Sequence, residues 1–352
     1  MVRNFLLSAI VFTSLFSAAF AGGSIGQGSR LILATYWGDD AVALLDLEAE
    51  EGHEELWRLD TLAAAGCAKP YDIRSGIRGD EAYVSCSGSN KVAIIDVVAQ
   101  QVKATIETGS SPRDLIVFHG GNRLIVANSG SDTVSVIDLD GRRKLYDVSV
   151  PGQPYGVAVG SDGGTAVVTG WANGTLNFLT LAENSGELVD TVEVGLLPYT
   201  VVLAGEPPRA FVAANGSQRV VQVDIETRAP ISEIEVGRNP WSIAASNDGE
   251  SLLVTNNRSA SLSLLRTGAA PAANSEMSNI LISAGAQEHD GGGETNRAPK
   301  NAALSLDGSE GVFTDLANNQ IVKVDLETGS IIRVIDVGKA PYGIEYLRSD
   351  AQ

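Results

Sequence analysis

The chain has 352 residues, 44% hydrophobic and only 19% charged, with a formal net charge of −18. That acidity excludes nucleic acid as a partner, since affinity for it rests on cationic contacts to phosphate, and it disfavours an anionic membrane surface. Thirty-eight glycines and many β-branched residues suit short strands and tight turns rather than long helices.

In chain order, Arg3 precedes an apolar run from Phe5 to Phe20 that ends in Ala19-Phe20-Ala21. Charge, apolar core and small-residue cut together predict a cleavable signal peptide over 1–21, and a secreted or periplasmic protein. No later stretch approaches the roughly 20 apolar residues of a membrane span. Residues 22–352 are expected to form one domain.

From Pro70 onward a segment of the type Pro154-Tyr155-Gly156-Val157-Ala158-Val159 recurs seven times, beginning at Pro70, Pro112, Pro154, Pro198, Pro240, Pro299 and Pro341. Successive prolines are 42, 42, 44, 42, 59 and 42 residues apart. A period near 42 held over most of the chain is the mark of a repeat architecture. Each period resolves into four short strands, A to D, bounded by Gly, Asn, Asp and Ser. The third unit reads PRDLIVF, RLIVAN, VSVIDL and KLYDVSV.

The count of strands predicts how the array closes. The mature chain opens on a B strand near Arg30, and its last strand, 341–347, is an A strand with no B strand after it. Pairing the last strand with the first blade answers both facts and removes two exposed sheet edges. The expected fold is therefore all-β: a seven-bladed β-propeller with four-stranded blades, blade 1 completed by the C-terminal strand 341–347.

Asn128, Asn215 and Asn256 end B strands, and Asp46, Asp96, Asp138, Asp224 and Asp325 end C strands. With the closing segments Ile234-Glu235-Val236-Gly237 and Ile335-Asp336-Val337-Gly338, this pattern resembles the YVTN β-propeller repeat family of surface-layer and cytochrome-associated propellers. The resemblance implies the fold; it implies little about function, because propellers serve many functions. The recurring aspartates read as turn formers that bind nearby backbone amides. The Asp-Gly pairs at 162–163, 248–249 and 307–308 read as A–B hairpin turns.

The residue after each repeat proline should gather at the mouth of the central channel. Around the ring these are Tyr71, Arg113, Tyr155, Tyr199, Trp241, Lys300 and Tyr342. Five aromatics and two cations at one position of an acidic chain suggest a pocket for a small anionic, sugar-like or aromatic ligand. Packing of the same rings into a plug is the competing expectation. Asp72 and Asp114, one residue on, would pair with the two cations. Pro112-Arg113-Asp114 also looks like the P-R-H segment of seven-bladed lactonases, with aspartate where histidine would stand.

Cys67 and Cys86 are the only cysteines. In an exported chain they predict one disulfide, closing a loop of about 20 residues and contributing roughly 3 kcal/mol. Two stretches enlarge the period. Glu48–Ala65 carries Glu48, Glu50, Glu51, His53, Glu54 and Glu55, and Thr267–Ala298 carries Glu288-His289-Asp290. Both read as solvated loops rather than metal sites, so no metal and no cofactor is expected. The functional expectation is a monomeric binding or scaffold protein of the cell envelope or extracellular space, with a protein or a small anionic or sugar-like ligand as partner. The alternative is a lactonase-like hydrolase or an accessory subunit of a periplasmic quinone or cytochrome system.

Overall fold

A computed structural model describes residues 30–267, 277–281 and 297–347. The predicted leader and the Glu288-His289-Asp290 motif lie outside them. Seven four-stranded antiparallel sheets form the blades of a propeller. From blade 1 to blade 7 the inner A strands are Pro341–Tyr346, Pro70–Ser75, Pro112–Phe118, Pro154–Val159, Pro198–Ala204, Pro240–Ala245 and Pro299–Leu304. The ring is closed as the strand count required: Pro341–Tyr346 pairs antiparallel with Leu31–Tyr36, matching Ile32 to Tyr346 and Ala34 to Ile344.

The core lies between blades. Seven apolar clusters occupy the seven blade–blade interfaces, so a B or C strand is buried on both faces. In blade 1, Leu33 and Leu44 face Ile73 and Val84 of blade 2, while Ile32, Ala34 and Leu45 face Val312 and Ile321 of blade 7. This explains why these strands read as near-continuous apolar runs with no polar side.

Two repeated devices place the start of every A strand. The residue before the proline adopts a left-handed conformation in six blades, at Lys69, Ser111, Gln153, Leu197, Asn239 and Ala340. Non-glycine residues disfavour it by about 1–2 kcal/mol. A clamp offsets the cost: the carbonyl of each accepts a B–C loop amide, from Ser87, Ser129, Trp171, Asn215, Asn257 and Trp37 respectively.

The second device is a hydroxyl near the end of the B strand. Thr169 Oγ1 accepts from the Gly156 amide at 2.8 Å and donates to the Tyr199 carbonyl of the next blade at 2.9 Å. Thr35, Thr255 and Thr314 repeat it, donating to the carbonyls of Tyr71, Lys300 and Tyr342. Blade 5 has Ala213 at this place, and Thr200 on its A strand donates to the Trp241 carbonyl instead. At the third A-strand position neighbouring blades approach so closely that a Cβ on Gly156 would meet the Tyr199 carbonyl at 2.5 Å.

The turn reading holds for four of the five C-strand aspartates: Asp46, Asp96, Asp224 and Asp325 accept the backbone amides of Glu48, Ala99, Thr227 and Thr328, whereas Asp138 pairs with Arg123 instead. Asp162, Asp248 and Asp307 accept the amides of Gly164, Glu250 and Ser309 across turns whose glycines have φ near +68°. Cys67 and Cys86 are bonded, the second opposite Pro70 in the A–B pairing.

The stretch Glu48–Ala65 differs from the loop expected of it. It contains the outer strand of blade 1, Glu55–Leu59. Three of its acids have partners: Glu48 pairs with Lys323 and Glu54 with Arg333, both on blade 7, and Glu55 accepts from the Tyr36 hydroxyl, while Glu50 and Glu51 are exposed. Across-blade charge pairing accounts for Glu48 and Glu54, whereas Glu50 and Glu51 are solvated as expected. Among the described residues no group of three His, Cys, Asp or Glu side chains forms a metal-ligand set, and no helix is long and apolar enough to cross a membrane.

Candidate functional site at the channel mouth

Each A strand carries a bulge just after its proline. In blade 2, Pro70 faces Cys86 but Ile73 faces Val84, which inserts one residue. A bulge re-aims side chains, so two consecutive residues, not alternate ones, turn to the channel. Tyr71 and Asp72 both do so, while Ile73 joins the interblade core.

The seven residues named from the sequence come together as a closed circle. Tyr342 stacks on Tyr71 with centroids 4.2 Å apart. The Arg113 guanidinium bridges Tyr71 and Tyr155 at 4.7 and 5.2 Å from their centroids. Tyr155 meets Tyr199 edge-on at 4.6 Å, and Tyr199 lies against Trp241 at 3.8 Å. Lys300 Nζ sits over Trp241 and 5.1 Å from Tyr342, completing the circuit. Tyr71 is 5% exposed and Lys300 7%. The ring therefore packs as a stopper, which answers the plug expectation, and it also concentrates polar groups.

Three hydroxyls converge beneath Arg113, with Tyr71 Oη hydrogen-bonded to Tyr155 Oη and, at 2.9 Å, to Tyr342 Oη. Burial pushes the phenols of Tyr71 and Tyr342 well above their ordinary range, so they remain protonated donors. Arg113 Nε donates to Ser129 Oγ at 3.1 Å. Among the described residues its two Nη groups have no partner, and no carboxylate pairs with Arg113 or Lys300.

The carboxylates expected to neutralise these cations do something else. Asp72 and Asp114 sit one layer below the ring and share Arg74, at 2.9 and 3.0 Å. Asp114 also accepts the Val157 amide at 3.0 Å. The bulge explains the correction, because it sends the third side chain toward the channel interior rather than back to the mouth. Of the lactonase-like pair Arg113-Asp114, only the arginine stands at the mouth. The fifth A-strand residue, Arg74, was not legible as a site residue; its place two residues after Asp72 on one strand, where alternate side chains share a face, was the available signal.

Burial lowers the Lys300 ammonium to about 7, an effect opposed by the Trp241 face, which attracts a cation. A base with a depressed folded value makes the native state bind fewer protons than the unfolded chain from about pH 7 to 10. Stability then rises with pH across that window. Lys300→Met should be about 1–3 kcal/mol more stable than wild type at pH 7, with the gap closing by pH 10. Urea unfolding at both values measures it; an equal gap would assign the effect to packing alone.

Behind the ring the channel widens into a chamber of about 390 Å³. Tyr71, Tyr155, Tyr199 and Trp241 form its closed end, and Asn247 and Leu306 of the A–B turns mark the other. The mouth and the chamber are thus separated by one layer of side chains.

Comparison with known proteins supports the architecture. No protein-family model matches the chain, and no curated protein does. Among solved structures, a protein of unknown function from Desulfotomaculum acetoxidans superposes with a TM-score of 0.74 at 12% identity, covering 92% of this chain and 100% of that one. A candidate 6-phosphogluconolactonase from Bacteroides fragilis gives 0.70 at 14%, covering 92% and 98%. Hydrazine synthase of Kuenenia stuttgartiensis gives 0.66 at 16%, covering 79% and 89%. At such identities the likeness is one of fold: this chain is a seven-bladed β-propeller.

Proposed function

We propose that this protein is an exported binding module, related to the YVTN-repeat propellers, that holds a small anionic or sugar-like ligand at the channel mouth. The carrying observation is the Arg113 fork, whose Nη groups have no partner among the described residues, seated above three converging tyrosine hydroxyls in a ring with two cations and no carboxylate. Two free Nη groups fit the bidentate geometry of a carboxylate or phosphate, while the aromatic faces suit a sugar or lactone ring. A cleaved leader and a monomeric cell-envelope or extracellular location belong to the same reading.

Thermal denaturation of residues 22–352 with phosphate, gluconate, lactones, quinones and calcium tests it. An anion at a hundred times its dissociation constant should add about 2.7 kcal/mol. Arg113→Ala should lose that gain while keeping a cooperative transition without ligand. If no anion shifts wild type, or Arg113→Ala shifts equally, the mouth holds no anion and the ring is only a stopper. Turnover of a stabilising lactone would instead mark an enzyme.

A further inference from the structure

The chamber behind the ring is chemically the reverse of the mouth. One wall carries Asp72, Arg74, Asp114 and Glu345; the facing wall carries the neutral Thr200, Ser242 and Asn301 in the same layer as the aspartates and, one layer on, the apolar Val202, Ala244 and Ala303. Three carboxyl groups thus stand against a single guanidinium. Arg74 is already committed to both aspartates, and Glu345 accepts the Ser75 amide at 2.8 Å. Asp72 is 3% exposed and Asp114 9%. The second carboxylate oxygen of Asp72, Oδ2, is buried without any hydrogen-bond partner. A buried acceptor left unmatched is costly; with the Asp114 carboxyl hydrogen-bonded beside it, it is met either by a proton held between the two carboxyls or by a cationic donor that takes that proton's place.

We propose that the chamber binds a small primary amine with an apolar tail, its ammonium between Asp72 Oδ2 and the Asp114 carboxyl and its tail along Val202, Ala244 and Ala303. An ammonium brings three donors to a place with surplus acceptors. The apolar wall gives the tail a surface from which water is displaced. Among the described residues no three side chains assemble as metal ligands, so an organic cation suits the site better than a metal ion. The site is separate from the mouth, of opposite charge preference, and stands whether or not the mouth binds an anion.

Proton balance gives the site a signature. Burial, reinforced by the Asp72 charge, holds the Asp114 carboxyl well above the ordinary carboxylate range, against the pull of Arg74. The charged and titratable groups that line its chamber are Tyr71, Asp72 and Arg74 of blade 2, Tyr155 of blade 4, Tyr199 of blade 5 and, beyond Arg74, Glu345 and Tyr346 of blade 1. The raised Asp114 favours a protonated carboxyl hydrogen-bonded to Asp72; an ammonium entering as a cation takes the place of that proton, which leaves to solvent, and the local charge is conserved.

Titration calorimetry of the whole chain with n-hexylammonium, and with hexanol and hexanoate as controls, tests the assignment. Hexylammonium should bind at least tenfold more tightly than either control. Its binding heat should vary with the buffer's ionisation enthalpy, reporting a proton release that falls as the pH rises and Asp114 ionises in the free protein. Asp114→Asn should weaken binding at least tenfold and abolish proton release, leaving any anion response at Arg113 intact. Should that variant fail to fold, Asp72→Asn and the wild-type proton release carry the test. Hexylammonium no tighter than hexanol, or binding unchanged in the aspartate variants, would overturn the site.

Discussion

Deleting residues 341–352 should abolish the cooperative unfolding transition at room temperature. The strand Pro341–Tyr346 supplies the inner strand of blade 1, and its Ile344 and Tyr346 are 3% and 5% exposed within the blade 7 to blade 1 core. Losing two such side chains removes about 2–5 kcal/mol each. The deletion also breaks contacts to three blades: the Gly343 amide to Thr35, the Tyr342 carbonyl to Thr314, and Glu345 to the Ser75 amide. It leaves Leu31–Tyr36 as an open edge. The total reaches the 5–15 kcal/mol that stabilises an ordinary domain. Ile344→Ala is the graded version and should lower stability by about 2–4 kcal/mol. Urea unfolding followed by circular dichroism reads both. A truncated chain with the wild-type midpoint would show that the ring does not depend on this closure.

Replacing both cysteines, Cys67→Ser with Cys86→Ser, should lower stability by about 3 kcal/mol. The bridge closes a sequence separation of 19 residues and ties the segment leading into Pro70–Ser75 to the end of the adjacent B strand. Its main action is on the unfolded chain, whose freedom it restricts. The double variant should match wild type in reductant, and its own midpoint should be indifferent to reductant. Reductant sensitivity that persists in the variant would place the effect elsewhere. Because Tyr71 follows this bridge by four residues, the variant also tests whether the mouth ring keeps its order.

Repetition made the fold legible. Proline spacing, four-strand punctuation and an unmatched last A strand determined blade number and closure, because every blade solves the same packing problem with the same residues. Tyr71, Arg113, Tyr155, Tyr199, Trp241, Lys300 and Tyr342 were identifiable for the same reason: one position per repeat converges on one axis. The sequence even announced Cys67 with Cys86, since the A–B pairing brings Pro70 opposite Cys86.

What the repeat could not announce are features set by departures from it. Asp72 and Asp114 looked like counter-ions for Arg113 and Lys300. Only the bulge after the proline, with the resulting direction of the third and fifth side chains, joined them to Arg74 in a separate chamber. The acidic residues of Glu48–Ala65 looked solvated, yet Glu48 and Glu54 meet Lys323 and Arg333 because ring closure sets blade 7 beside blade 1. Local pattern decides strands and turns, since it acts through neighbours in the chain. Which charges meet across a channel or a closing seam depends on contacts between residues 40 to 279 positions apart, and tertiary structure alone decides those.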